Sequence, residues 1–294
     1  MTETDRLLAP FSQPVPLPEP QRWLGLIGDL HGETEWALLV LPALSRSGVR
    51  TVLALGDVGV WPGPDGSAYL DALEREAQRN KQLFLMLEGN HDDAEARGVP
   101  ARSARGGQAP PARLAPAAGP ALHLARRVFA VPGGATSLDA RERRPHASWW
   151  PQEALRPHQV QRLADGGPLD VLLTHDAPAG ARVPGLSTNW PEDALRHATQ
   201  HQQRVREAVD AVEPALLVHG HLHVRYQDTL DLPTGRQTLV VGLAPDHTHY
   251  DDNVVVLDLP QLAQILLQPA DQRTAALIRP TRLPPTAGRP DLLD

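Results

Sequence analysis

Gly28-Asp29-Leu30-His31-Gly32 follows an apolar run, residues 23–27, that reads as a buried strand ending at a glycine. A carboxylate and an imidazole two residues apart at a strand end can turn toward one ion. Alone the pattern is weak, because any strand-to-loop junction can carry Asp-x-His. Four later stretches repeat the form. Apolar runs also end in Gly56-Asp57, Gly89-Asn90-His91-Asp92, Thr174-His175-Asp176 and His219-Gly220-His221. A single buried His at a strand end is more often a hydrogen-bonded core residue than a ligand. Five such junctions together argue for a shared compensating charge, since buried Asp and His are seldom left unpaired.

Around these junctions the chain alternates. Strands are expected over 23–27, 51–55 and 82–87. Helices are expected over 33–47, with Pro42 predicting a kink or an early stop, and through Tyr69, Leu70, Leu73 and Ala77. Strand, helix, strand, helix, strand is a parallel α/β pattern with its chemistry at the carboxyl ends of the strands. Further strands are expected over 126–131, 169–173 and 215–218, and a polar helix over 191–212 with the apolar line Leu195, Ala198, Val205, Ala208, Val209 and Val212. A short helix is expected after Pro151. Closely spaced β-rich stretches at 224–230, 237–243 and 253–259 suggest hairpins and a second sheet, closed by a helix over 261–267. Residues 1–20 carry five prolines and read as an extended lead-in. Residues 21–268 read as one domain, 95–121 as a flexible insertion rich in Ala, Pro, Gly and Arg, and 269–294 as a loosely held tail.

Composition narrows the class. The 294 residues can bury a substantial core, the net charge is −7, and there is no cysteine, which excludes disulfides and thiolate metal sites. No run approaches the ~20 apolar residues of a membrane span, and no signal-peptide pattern opens the chain. The expectation is a cytoplasmic protein with no membrane partner; its oligomeric state is not legible. Lys81 is the only lysine beside 27 arginines, a compositional bias without functional content. From Arg97 to Arg144 nine arginines face two acids, a local +7 that would draw anionic substrates.

The candidate ligands are Asp29, His31, Asp57, Asn90, His175, His219 and His221. Oxygen and imidazole donors without thiolates suit Mn, Fe, Zn, Co or Ni. Seven ligands exceed one tetrahedral site but suit two ions with Asp57 as the bridge. Two ions about 3.5–4 Å apart lower the pKa of a shared water and neutralise a phosphoryl oxygen, so that a bridging hydroxide attacks phosphorus in line. His91, next to Asn90, is placed to protonate the leaving oxygen as general acid. His223 is left outside the set, as a support behind the ligands or simply exposed. His123, His146, His158, His197, His201, His247 and His249 read as surface or loop histidines.

These residues resemble the calcineurin-like metallophosphoesterase superfamily, whose pattern runs D-x-H, G-D, G-N-H-[DE], a lone H, then G-H-x-H. The likeness covers residues 22–260 and is carried by Gly28-Asp29-Leu30-His31, Gly56-Asp57, Gly89-Asn90-His91-Asp92, His175, and Gly220-His221 preceded by His219. It implies two packed mixed β-sheets flanked by helices (an αββα sandwich) in a single domain. It also implies that Asp29, His31 and His221 hold one ion, that Asn90, His175 and His219 hold the other, and that Asp57 bridges them. The phosphoprotein phosphatases of this superfamily extend the second motif to G-D-x-x-D-R-G. Here Val60 and Trp61 replace that Asp and Arg, which argues against a protein phosphatase and leaves Asp92 or Asp93 to orient His91.

Ser137-x-Asp139, Arg143 and Trp149-Trp150-Pro151-x-Glu153 resemble a small bacterial and phage subgroup. Arg143 could clamp phosphate through a bidentate contact, or be solvated; the tryptophans could wall a cleft, or anchor the core. The expectation is a manganese-dependent dinuclear phosphoesterase leaning to phosphodiesters or nucleotides. A phosphomonoesterase, a nuclease on DNA or RNA, and a non-catalytic metal-binding scaffold stay open.

Overall fold

The computed structural model describes residues 22–93, 114–116, 122–124, 127–266 and 268. The lead-in 1–20, most of the 95–121 insertion and the 269–294 tail lie outside these described residues. Strands β1 (Trp23–Ile27), β2 (Thr51–Ala54), β3 (Leu83–Met86) and β4 (Leu114–Pro116) run parallel, and β11 (Val254–Asp258) pairs antiparallel with β1. The order is β11-β1-β2-β3-β4. The second sheet is β5-β6-β7-β8-β10-β9, from β5 (Leu122–Leu124), β6 (Arg127–Ala130), β7 (Val171–Leu173), β8 (Leu216–His219), β10 (Gln237–Gly242) and β9 (Tyr226–Asp231). Strands β6, β7, β8 and β10 are parallel, with β5 and β9 antiparallel at the edges. Both sheets are therefore mixed, and helices cover the outer face of each, in one domain.

The strands read as continuous apolar runs because both faces are buried. Alternate residues of a strand point to opposite faces. Leu53 and Leu55 join Leu24, Leu26, Leu85, Phe129, Val171, Leu173, Val218 and Val241 in the layer between the sheets. Val52 and Ala54 face the other way, onto Val40, Leu41, Leu44 and Leu73 of helices α1 (Thr34–Arg46) and α2 (Pro64–Arg79). On the second sheet Leu172, Leu217 and Val240 face Leu163, Val205, Ala208, Val209 and Val212 of α3 (Pro157–Asp165) and α4 (Glu192–Val212).

Three details depart from the sequence reading. Helix α1 continues through Pro42. The carbonyl that loses its donor belongs to Leu38, which is 42% exposed, so water can satisfy it. Strand β4 forms inside the stretch expected as a loop; a three-residue edge strand leaves no periodicity to read. On α4 the buried stripe includes His201, expected at the surface, whereas Leu195 and Ala198 are only half-buried. His201 accepts the Leu155 backbone N–H at Nε2, 3.1 Å, and bonds Asp176 Oδ2 at 2.7 Å through Nδ1. Burial tends to raise the Asp176 carboxyl, but the His221 charge and the His201 bond hold it down to about 2.

Candidate metal centre

Ile27, Ala54 and Met86 lie in register at the carboxyl ends of β1, β2 and β3. Leu173 pairs with Val218 across β7 and β8, and His219 with Gly242 of β10. The loops after all these strands therefore open on one rim. The backbone stitches them together: Leu30 and His31 N–H donate to the Asp57 carbonyl (3.0 and 2.8 Å), Gly32 N–H to that of Val58 (3.1 Å), and Asp246 N–H to that of Asp29 (2.9 Å).

Two buried carboxylates, Asp29 and Asp57, form the floor. Asp57 Oδ1 accepts the His91 backbone N–H at 2.7 Å and lies 3.3 Å from His175 Nε2. Its Oδ2 lies 3.8 Å from His31 Nε2 and 3.9 Å from His91 Nε2. Asp29 accepts the His221 N–H at both oxygens (3.0 and 3.1 Å), and its Oδ2 lies 2.9 Å from His223 Nε2 and 4.0 Å from His31 Nε2. His175 Nδ1 is 2.6 Å from the Leu55 carbonyl and donates to it, so Nε2 is left to face Asp57 and Asn90 Oδ1 (3.0 Å).

Among the described residues, three groups of three donors have their ligand atoms within 4.8 Å of one another: Asp29, His31 and His223; Asp57, His175 and His221; and, nearer the surface, Glu33, Asp246 and His247. Burial opposes ionisation of Asp57, yet His175 outweighs it and holds the carboxyl below its ordinary value. For Asp29 burial is likewise overcome, by the His223 bond and His175. Burial opposes charge on His175 too, but Asp57 and Asp29 lift it to about 10. His31 is lifted to about 8, against burial, by Asp246, Asp29 and Asp57. Burial pushes His221 down to about 4. Two buried anions surrounded by imidazoles need cationic charge, and this donor set fits divalent transition metals.

The close approach depends on glycine. A Cβ on Gly56, whose φ is +98°, would sit 2.3 Å from His175 Nδ1, and one on Gly220 would sit 2.2 Å from Asp29 Oδ1. His31, Asp57, His221 and His223 themselves occupy left-handed backbone, with φ from 43° to 62°. Such strain persists only where the surroundings enforce it, and it clusters at functional sites.

The structure brings together Asp29, His31, Asp57, Asn90, His175 and His221, as the sequence pattern leads one to expect. His219 stands apart. Its ring is buried between the Gly220 carbonyl (2.8 Å from Nδ1) and the Tyr226 hydroxyl (2.7 Å from Nε2), and burial lowers its basicity below the ordinary value. The place expected of it, beside Asn90 and His175, is taken by His221, and the place expected of His221, beside Asp29 and His31, is taken by His223, which the sequence reading leaves outside the set because it lies past the His219-x-His221 pair. The signal is nonetheless present: Gly220-His221-Leu222-His223 is the G-H-x-H pattern read in its own register.

His91 is half-buried. Burial, and after it the Arg143 guanidinium, outweigh Asp57 and lower its basicity. Arg143 Nη2 lies 2.6 Å from His91 Nδ1, and its Nε donates to Asp139 Oδ2 at 2.8 Å. Asp92 does not orient His91. Its carboxylate accepts four backbone N–H groups, from Val58, Gly59, Val60 and Gly89, at 2.9–3.1 Å. Trp150 is a buried core anchor, 1% exposed, and cannot wall a cleft. Trp61 is more exposed; its ring packs on Gly32, beside His31.

A family model described as calcineurin-like phosphoesterase matches residues 23–225. The chain belongs to that family, which implies metal-dependent hydrolysis of phosphate esters. Among solved structures the chain is similar to the crystal structure of TT1561 of Thermus thermophilus, at 16% identity, covering 82% of this chain and 96% of that one, with a TM-score of 0.48. A second crystal structure matches at 14% identity over the same shares, with a TM-score of 0.52; identity this low speaks for the fold alone. No curated protein matches. Among the described residues no helix is long and apolar enough to cross a membrane.

Proposed function

We propose that the protein is a dinuclear metal-dependent phosphodiesterase, and the observation that carries the reading is the pair of donor triads built around Asp29 and Asp57. Asp29, His31 and His223 would hold one ion, and His175, His221 and Asn90 the other, with Asp57 shared between them. When bound, two divalent cations, manganese foremost, supply charge neutralisation at the phosphoryl oxygens and a nucleophilic water at neutral pH. The remaining work falls to protein groups. His91 stands beside Asp57 with its ring open to solvent on one side, where it can give a proton to the departing oxygen. Arg143, braced by Asp139, presents one guanidinium at His91 and would grip a non-bridging oxygen.

A phosphodiester carries one negative charge and a monoester up to two. The single guanidinium at His91 suits the smaller charge. The Arg-rich stretch supports a nucleotide or nucleic acid as substrate. Turnover of bis(p-nitrophenyl) phosphate against p-nitrophenyl phosphate with Mn²⁺ tests this. The diester is expected to be the faster substrate, and a diester rate far below the monoester rate rejects the reading. Asp57→Asn is expected to lower either rate at least about 10³-fold, in line with the loss of a main electrostatic element.

A further inference from the structure

The segment from Ser137 to Glu153 has a buried feature that the reaction does not use. Asn90, Ser137 and Glu153 are 1%, 3% and 7% exposed and form one chain of hydrogen bonds. Asn90 Nδ2 donates to Ser137 Oγ at 3.0 Å. Ser137 Oγ lies 2.6 Å from Glu153 Oε2, and the Ser137 backbone N–H donates to Oε1 at 2.7 Å.

We propose that Ser137 and Glu153 are positioning residues that lock the Asn90 amide with its oxygen toward the metal centre, and so set the affinity for the ion that Asn90 shares with His175. The inference rests on the reading of Asn90 as a ligand. An Asn side chain has two ends of nearly equal shape, and only the oxygen can ligate a cation. A serine hydroxyl can donate or accept, so Ser137 alone would not choose between them. Glu153 accepts at both oxygens, Oε1 from the Ser137 backbone N–H and Oε2 from the Ser137 hydroxyl. By taking the hydroxyl hydrogen it leaves Oγ with lone pairs alone, and that oxygen can then meet only the NH₂ end of Asn90. Oδ1 is left facing His175 Nε2, 3.0 Å away. The reversed amide would set its oxygen against the Oγ lone pairs and its NH₂ against a cation. The chain just before this segment is also tied to the loop that carries Asn90, by the Gly134 N–H bond to the Glu88 carbonyl, 2.8 Å.

Outer partners of metal ligands typically change affinity about 10–100-fold. The test is calorimetric titration of the metal-free full chain with Mn²⁺, read together with the Mn²⁺ EPR spectrum. The parent is expected to take two ions per chain and give a spin-coupled spectrum. Ser137→Ala is expected to keep one ion, bind the other about 10–100-fold more weakly, and show an uncoupled six-line signal at one equivalent beyond the first. Ser137→Thr, which keeps the hydroxyl, is expected to restore affinity to within a few-fold of the parent. Glu153→Gln, nearly isosteric, is expected to weaken the same ion and keeps the test alive if Ser137→Ala fails to fold. Second-ion affinity equal to the parent's in Ser137→Ala or Glu153→Gln overturns the proposal, even if the variant melts at a lower temperature. A parent that takes up fewer than two ions instead overturns the dinuclear reading itself, and this inference with it.

Discussion

His219 and His223 flank His221 at the same spacing, and the chain sends them to opposite sides. His219 is the last residue of β8, so the pleat turns its ring inward to Tyr226. His223 lies in a left-handed turn, φ 57°, that swings its ring 2.9 Å from Asp29. The two variants should fail differently. His223→Ala is expected to lower metal content by about one ion per chain, with little change in the stability of the metal-free protein. His219→Ala leaves the buried Tyr226 hydroxyl without its partner, and is expected to cost roughly 1–3 kcal/mol of stability while both ions still bind. Metal analysis beside urea unfolding separates the outcomes; loss of an ion in His219→Ala alone would restore the other assignment. The ligand types and strand-end positions were legible because Asp and His at the ends of apolar runs demand a counter-charge. The choice between two histidines was legible only in the register of Gly220-His221-Leu222-His223; strand spacing alone does not make it, because it is a backbone φ that swings the His223 ring to Asp29.

At the scale of elements, one carboxylate outside the donor groups ties the loops of the site together. Asp92 gathers the N–H groups of Val58, Gly59 and Val60 from the loop after β2 and of Gly89 from the loop after β3. Burial nonetheless pushes its carboxyl above the ordinary value, so the bonds only partly offset the cost of enclosing the charge. Asp92→Asn puts an NH₂ among donors and strands some of them, at about 3 kcal/mol or more. The expected result is a lower urea midpoint in the metal-free protein, with the m-value unchanged. A midpoint within experimental error of the parent would show that the loops hold without it. The strands and helices of this part were legible from their two periods, apolar runs against an i, i+3, i+4 stripe. Strand β4 and the buried His201 were not, since each is fixed by a distant partner: β3 for one, Asp176 for the other.

At the scale of the molecule, folding encloses Asp29 and Asp57 between two sheets whether or not cations arrive, and protons on histidine take their place. His175, lifted to about 10, and His31, lifted to about 8, carry that charge in the metal-free chain. A histidine whose folded value lies above its unfolded value of ~6.5 stabilises the fold while protonated. That contribution is whole below pH ~6.5 and fades as pH rises through about 8 for His31 and toward about 10 for His175. The metal-free protein should therefore lose stability from about pH 6.5 up to about pH 10. Binding at neutral pH must displace these protons, so apparent metal affinity should rise over the same range. Ligand present at 100 times its Kd adds ~2.7 kcal/mol, and each kcal/mol moves the midpoint of a domain this size about 2–4 °C. Thermal melts with excess Mn²⁺ and with chelator should thus differ by on the order of 5–10 °C near neutral pH. The gap should widen from about pH 6.5 to 8.5 and shrink by more than half in Asp57→Asn. A gap that stays constant over that range would mean that His175 and His31 are already neutral without metal, and that some other charge balances the two carboxylates.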